Sequence, residues 1–158
     1  MSGVAPVLVL ACGNPSRGDD AIGPVLAERL ERWLERSGTT GIEVLVDFQL
    51  GPEHALDLEG RKRVLFVDAE VGAEAPFRFA RVEPREATDP STHAFSPGGV
   101  LAVARRVMSS SLPEAEILAV AGERFELGEP LSARARESVE RAFDSLVAWC
   151  ARSDAGDA

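Results

Sequence analysis

The stretch from residue 7 to residue 23, VLVLACGNPSRGDDAIG, constrains the fold more than any other part of the chain. Its short apolar run, rich in β-branched residues, predicts a strand buried on both faces. Turn-forming residues follow, and an apolar-periodic segment over residues 22–34 then predicts a helix. Asp19 and Asp20 therefore stand at the carboxyl end of the first strand, the edge at which open α/β sheets bind ligands.

Strands and helices alternate along the rest of the chain. The patterns predict strands over residues 6–12, 42–48, 64–67, 77–82 and 117–121, and helices over residues 22–34, 52–58, 97–110 and 131–150. This order predicts an α/β fold, a three-layer α/β/α sandwich with a mostly parallel five-stranded sheet and one antiparallel edge strand. Residues 1–150 are expected to form a single domain, and residues 151–158 a disordered tail.

Charge and cysteine content narrow the function classes. The net charge of −9 argues against binding to nucleic acid or to an anionic membrane surface, because both need a basic footprint. Cys12 and Cys150 have a spacing that suits neither a disulfide framework nor a zinc site. They are interpreted as buried thiols in a reducing cytosol, and a cytoplasmic location is expected.

Three groups of polar residues are predicted to converge at one sheet edge. They are the pair Asp19 and Asp20 after the first strand, Asp68 directly after the third, and His93 in the loop before the helix over residues 97–110. Right-handed crossovers place strands one and three side by side, so the segments that carry Asp20 and Asp68 should meet. Two carboxylates and an imidazole suit Ni²⁺, Zn²⁺ or Mn²⁺, with coordination positions left for a substrate. The alternative is that Asp19 or Asp20 caps the first helix.

The sequence lacks the motifs of several other common kinds of active site. The chain contains no GxGxxG after strand one, no GxxxxGKS/T and no GxSxG, so dinucleotide, P-loop and nucleophile-elbow sites are disfavoured. A phospho-receiver module would also use acidic residues after strands one and three, to hold Mg²⁺, but it needs a lysine after the last strand, where this chain reads AVAGERF. His54, on the predicted short helix, is interpreted as a surface or packing residue.

The opening segment resembles that of the hydrogenase maturation endopeptidases. Their first strand runs into a loop of the form G-N-x-x-x-x-D-D/E-x-x-G, which is matched here by Gly13, Asn14, Asp19, Asp20 and Gly23. The second acidic position of that loop is a metal ligand in the family, and it falls on Asp20. The resemblance implies two more ligands, Asp68, which is followed by the small Ala69, and His93, which ends a Ser-Thr-His loop.

The resemblance extends along nearly the whole chain. The segments DFQLGPEHALDL and EAPFRFARV…STHAFSP look most like the subgroup that serves soluble, NAD-coupled bidirectional [NiFe] hydrogenases. One departure stands out. Many members follow the aspartate of the second strand with a Gly-Gly-Thr-like turn, whereas Asp47 is followed here by Phe48-Gln49-Leu50 and a glycine comes only at Gly51.

The resemblance implies an endopeptidase that removes the C-terminal extension of a [NiFe] hydrogenase large-subunit precursor after nickel insertion. Asp20, Asp68 and His93 would be both its catalytic and its metal-binding residues. The nickel belongs to the precursor, so no tightly bound cofactor is expected, although Zn²⁺ or Cd²⁺ is expected to fit the site in crystals. The protein is expected to be a monomer whose partner is the precursor. The competing hypothesis is a nickel-dependent scaffold that docks the precursor without cutting it.

Overall fold

A five-stranded sheet forms the centre of the computed structural model, which describes residues 3–86 and 95–155. Within this part of the chain, the strands are β1 Val7–Cys12, β2 Ile42–Asp47, β3 Arg63–Val71, β4 Phe77–Arg81 and β5 Glu114–Gly122. Their order is β2-β1-β3-β5-β4, with β4 antiparallel to β5 and the other pairs parallel. The predicted sheet, with its antiparallel edge strand and its adjacent first and third strands, is confirmed.

Helices cover both faces of the sheet. The α-helices are α1 Ile22–Ser37, α2 Pro97–Val107 and α3 Ala133–Ala155. Two 3-10 segments accompany them, here named the aspartate turn (Gly18–Ala21) and the His54 turn (Pro52–Leu58). α1 and α3 pack on one face, and α2 and the His54 turn on the other, which confirms the three layers. No helix in the described ranges is both long enough and apolar enough to cross a bilayer.

β3 is longer than predicted at the edge that matters for the site. The prediction ended the strand at Val67, but it continues through Asp68 to Val71. Pairing with β5 continues over these extra residues, whereas the pairing of β3 with β1 stops at Val67. Asp68 therefore belongs to β3 but is not paired with β1. The missing pairing leaves space beside Asp68, which allows a carboxylate at this position in the strand.

The last helix also departs from its predicted bounds. α3 runs from Ala133 to Ala155, so residues 151–155, predicted as the start of a tail, are helical. These residues contain neither Gly nor Pro, and the first helix breaker is Gly156, outside the described residues. α2, in contrast, ends at Val107 and not at residue 110. Both cysteines are free and buried, as predicted.

Gly23 allows α1 to pack directly on the end of β1. A Cβ atom at this position would lie 2.2 Å from the carbonyl oxygen of Cys12, which is a backbone atom that cannot rotate away. The close approach brings Leu26 and Leu30 of α1 into complete burial against the sheet. Gly23 of the opening loop is thus needed for packing, and it sets the distance between α1 and the edge that carries Asp20.

We expect Gly23→Ala to lower the free energy of unfolding by about 1–3 kcal/mol, because the added methyl group overpacks the contact with Cys12. The expected sign is opposite to the intrinsic preference, since alanine stabilises helices by about 1 kcal/mol relative to glycine. The exposed Glu35 of the same helix is the control, where the Ala variant should be more stable than the Gly variant. Denaturant unfolding measures both effects, and a stabilised Gly23→Ala protein would contradict the packing argument.

Candidate active site

Asp47, Cys12 and Asp68 lie side by side at the carboxyl edge of the sheet. The register pairs Cys12 with Asp47 of β2, and pairs Ala11 with Val67, so that Asp68 follows on the other side of Cys12. Side chains alternate along a strand, and the residues two positions earlier belong to the apolar cluster beneath α2 and the His54 turn. All three side chains therefore point to that face of the sheet.

The opening loop folds back so that Asp20 joins this edge. The backbone N–H of Asn14 donates to Asp20 Oδ2 at 2.8 Å, and Asn14 Oδ1 accepts from the Ser16 N–H at 2.9 Å. Gly13 has φ 149°, and a Cβ atom there would lie 1.9 Å from the Asp20 carbonyl oxygen. Gly13 and Asn14 of the opening loop thus have a structural role, because together they place Asp20 over the end of β1.

The acidic groups at this edge act on one another through their charges. The pKa of Asp68 is raised to about 6, chiefly by burial and in smaller part by the charge of Asp20, against the lowering effect of a hydrogen bond from the Ala69 N–H. Burial also raises the pKa of Cys12 to about 12, with added contributions from the charges of Asp68, Asp47 and Asp20. The thiol stays protonated, and the surrounding negative charge favours a cationic group at this edge.

Asp19, next to Asp20 in sequence, is directed away from the edge. Its side chain is fully buried, and its oxygens accept from the N–H groups of Glu123, Arg124 and Ser132 at 2.7, 3.0 and 2.7 Å, and from the Ser132 hydroxyl at 2.7 Å. Burial by itself would raise the pKa of Asp19, but these bonds hold it below its ordinary value. Ser132 Oγ in turn accepts from the Ala135 N–H at the start of α3.

The helix-cap alternative for the two aspartates is wrong. The residue that precedes α1 is Ala21, and no side chain caps that end. Asp19 instead joins the aspartate turn to the end of β5 and to the start of α3. Asp20 faces the site, so the two neighbouring carboxylates have different tasks.

Two of the three predicted ligands fall within the described residues. Asp20 and Asp68 are near enough for the charge of Asp20 to act on Asp68. His93, the third predicted ligand, lies outside the described residues. Within residues 3–86 and 95–155, no group of three or more His, Cys, Asp or Glu side chains is placed to hold a metal ion. Two carboxylate donors at one edge suit a divalent cation that arrives with further ligands of its own.

Reasoning from the sequence missed a contact between Asp47 and His54. His54 is buried and not on the surface, and its Nε2 lies 3.1 Å from Asp47 Oδ2. The signal that could have found it is the position of the histidine in the first turn of a short helix that directly follows the strand ending in Asp47. His54 therefore packs in the interior and also contacts the Asp47 carboxylate.

Solved structures of hydrogenase maturation proteins share this architecture. The hydrogenase maturating endopeptidase HybD from E. coli is 24% identical, matches 93% of each chain and superposes with a TM-score of 0.71. The [NiFe] hydrogenase maturation protease HycI from Thermococcus kodakarensis KOD1 is 23% identical over 94% of each chain, with a TM-score of 0.69. The chain has the fold of these endopeptidases. The fold implied by the opening loop is therefore confirmed.

A third solved structure agrees. The hydrogenase 2 maturation peptidase from the Thaumarchaeota archaeon SCGC_AB-539-E09 is 22% identical, with 89% of this chain and 95% of that one matched and a TM-score of 0.63. No protein-family model matches the sequence, and no curated protein matches it. The relationship is therefore visible in three dimensions, at identities too low to carry the activity across by themselves.

We expect Asp68→Asn to stabilise the protein at pH 8 by about 1–3 kcal/mol, because it removes a carboxylate whose ionisation is opposed by burial. The pKa of Asp68 is raised from 3.8 to about 6 in the folded protein. The unfolded chain therefore ionises first, and the native protein loses stability as pH rises through this window. The gain of the variant should be absent below the window, grow across it and stay level above it.

Thermal unfolding from pH 3.5 to pH 8 measures this effect. Asp144→Asn, at an exposed position of α3, is the matched control and should show no such pH dependence. A variant at Asp68 that is less stable than the native protein at pH 8 would contradict the expected cost of ionisation.

We expect Asp19→Asn to lower the free energy of unfolding by about 2–4 kcal/mol, because an amide nitrogen would replace an acceptor that faces backbone N–H groups. Asp20→Asn should change it by less than about 1 kcal/mol, because that side chain is partly exposed and keeps an acceptor oxygen for Asn14. Urea unfolding at pH 7 compares the two. Equal losses would remove the distinction between a structural and a site aspartate.

Proposed function

We propose that the protein is an endopeptidase that removes the C-terminal extension of a [NiFe] hydrogenase large-subunit precursor after nickel has been inserted. The observation that carries this proposal is the meeting of Asp20 and Asp68 at the carboxyl edge of a fold shared with solved hydrogenase maturation endopeptidases. The raised pKa of Asp68 supports it, because perturbed carboxylates are typical of functional sites. Precursors of soluble, NAD-coupled hydrogenases are the first substrates to test.

Nickel enters this reaction as part of the substrate. Asp20 and Asp68, with His93 as the third donor, recognise the ion while the precursor supplies its remaining ligands. Such a donor set has no strong preference for nickel over zinc, since affinity follows the general divalent series and geometry decides. Selectivity therefore comes from the nickel-loaded precursor, and zinc or cadmium in the isolated protein should not confer activity.

Water is the proposed nucleophile of the hydrolysis. Cys12, the thiol at the edge, is buried and has a pKa of about 12, so its reactive thiolate form is scarce. Water adds to the scissile carbonyl carbon, the C–N bond breaks, and the proton from water leaves on the new amine. Nickel held between the precursor and the two carboxylates can polarise the carbonyl or the attacking water.

We expect Asp20→Asn and Asp68→Asn each to lower the cleavage rate of nickel-loaded precursor at least about 100-fold, beyond the typical cost of losing a residue that only orients a ligand. His93→Gln should have a comparable effect. Glu126→Gln, at an exposed position after β5, is the control and should cleave like the native protein. Gel-shift kinetics of the precursor measure the rate, and circular dichroism verifies that each variant is folded.

The source of the nickel is tested with two mixtures under conditions that block metal transfer. Metal-free protein should cleave nickel-loaded precursor, whereas nickel-treated protein should leave the nickel-free precursor uncut. Cleavage only in the second mixture would make nickel a cofactor of the enzyme. Stable binding of the loaded precursor without any cleavage would instead support the scaffold hypothesis.

A further inference from the structure

The Asp47 carboxylate is held by a buried histidine that the proposed reaction does not use. His54 Nε2 lies 3.1 Å from Asp47 Oδ2, and the Phe48 N–H donates to Asp47 Oδ1 at 2.7 Å. The His54 side chain is 6% exposed, whereas that of Asp47 is 53% exposed. Each oxygen of Asp47 thus has a fixed partner, yet the carboxylate remains open to solvent at the edge of the site.

The backbone of Gly51, which directly precedes the His54 turn, determines which ring nitrogen faces Asp47 as a donor. The Gly51 N–H donates to His54 Nδ1 at 2.9 Å, a closer contact than the 3.2 Å between that nitrogen and the Gly51 carbonyl oxygen. Nδ1 is therefore the acceptor, which leaves Nε2 as the nitrogen that donates to Asp47. Among the described residues, Glu53 is a second carboxylate near the ring, with Oε1 3.9 Å from Nδ1.

Asp47 shares its edge and its sheet face with Asp68. Cys12 separates the two in the sheet, and the charges of both carboxylates act on its thiol. Parallel strands are about 4.8 Å apart, so the Cα atoms of Asp47 and Asp68 are separated by about 10 Å. This is about the length of three residues of extended chain. A peptide that crosses the edge, with its scissile bond near Asp68, reaches Asp47 three residues away.

We propose that Asp47 binds the substrate by accepting a hydrogen bond from a backbone N–H about three residues from the scissile bond, a role that rests on the proposed peptidase function. His54 is then the positioning residue that orients Asp47. A rigid acceptor of this kind lowers the ordering cost of binding an extended segment. Asp47 would thus contact the substrate apart from the metal-facing residues, and the Pro-Glu-His segment after β2 would position it.

Two isosteric substitutions of His54 separate the contact with Asp47 from the contact with Gly51. The amide nitrogen of Gln reaches the position of Nε2, so His54→Gln keeps a donor for Asp47. The shorter Asn reaches only the position of Nδ1, so His54→Asn keeps a partner for Gly51 and leaves Asp47 without its donor. We expect His54→Gln to keep a KM for nickel-loaded precursor within about 3-fold of the native value.

For His54→Asn and Asp47→Ala we expect KM to rise about 10-fold with little change in kcat, the signature of a lost binding contact. The double variant should be no worse than Asp47→Ala alone, because His54 acts through Asp47. Unfolding curves establish that every variant is folded at the assay temperature. Independent, additive losses at the two positions, or equal behaviour of the Gln and Asn variants, would overturn the proposal.

Nitrogen-15 NMR of the imidazole rings tests the pair without any activity. The chain has two histidines, so the spectrum is simple, and His93→Gln assigns the signals. His54 should carry its proton on Nε2, and Asp47→Asn should shift that proton; a proton on Nδ1 would overturn the positioning role. If the native protein and Asp47→Ala cleave the precursor with the same KM, the proposed role of Asp47 is wrong and the peptidase function stands. If the native protein cleaves no precursor, the proposed peptidase function itself is wrong.

Discussion

The shift in strand pairing at the end of β1 is the constraint on which the site depends. β1 ends at Cys12, while β3 and β5 continue to pair for several residues beyond that point. Three parallel strands that ended together would bury Asp68 between neighbours on both sides. The early end of β1 leaves a notch, and the opening loop turns back into it, bringing Asp20 toward Asp68. The concentration of carboxylates at this edge follows from this difference in strand length.

The two adjacent aspartates illustrate how one short turn serves both structure and chemistry. Asp19 satisfies backbone donors in the interior, and Asp20 presents its carboxylate at the edge. A 3-10 turn suits this division because neighbouring side chains point in directions about 120° apart. The rigid fixing of the first carboxylate therefore determines where the second one points.

Much of the fold could be predicted because local patterns and topology rules agree. The apolar run of β1, the spacing of polar residues and the handedness of crossovers sufficed to place strands one and three together, and Asp20 near Asp68. The extension of β3 past Asp68 could not be predicted, because it depends on pairing with β5, which is distant in sequence. The Asp19 contacts and the His54 contact with Asp47 depend in the same way on neighbours that only the folded chain supplies.

The interior bonds of Asp19 also have a consequence for the order in which the chain folds. Its partner Ser132 is 113 residues away in sequence, so this contact closes only after residue 132 has been made. Contacts of such long range form after local ones, because a large loop must lose its entropy first. During synthesis, the opening loop emerges long before β5 and the start of α3 exist. The aspartate turn thus acquires its interior bonds only after β5 and the start of α3 have been made, although Asp19 is among the first residues synthesised.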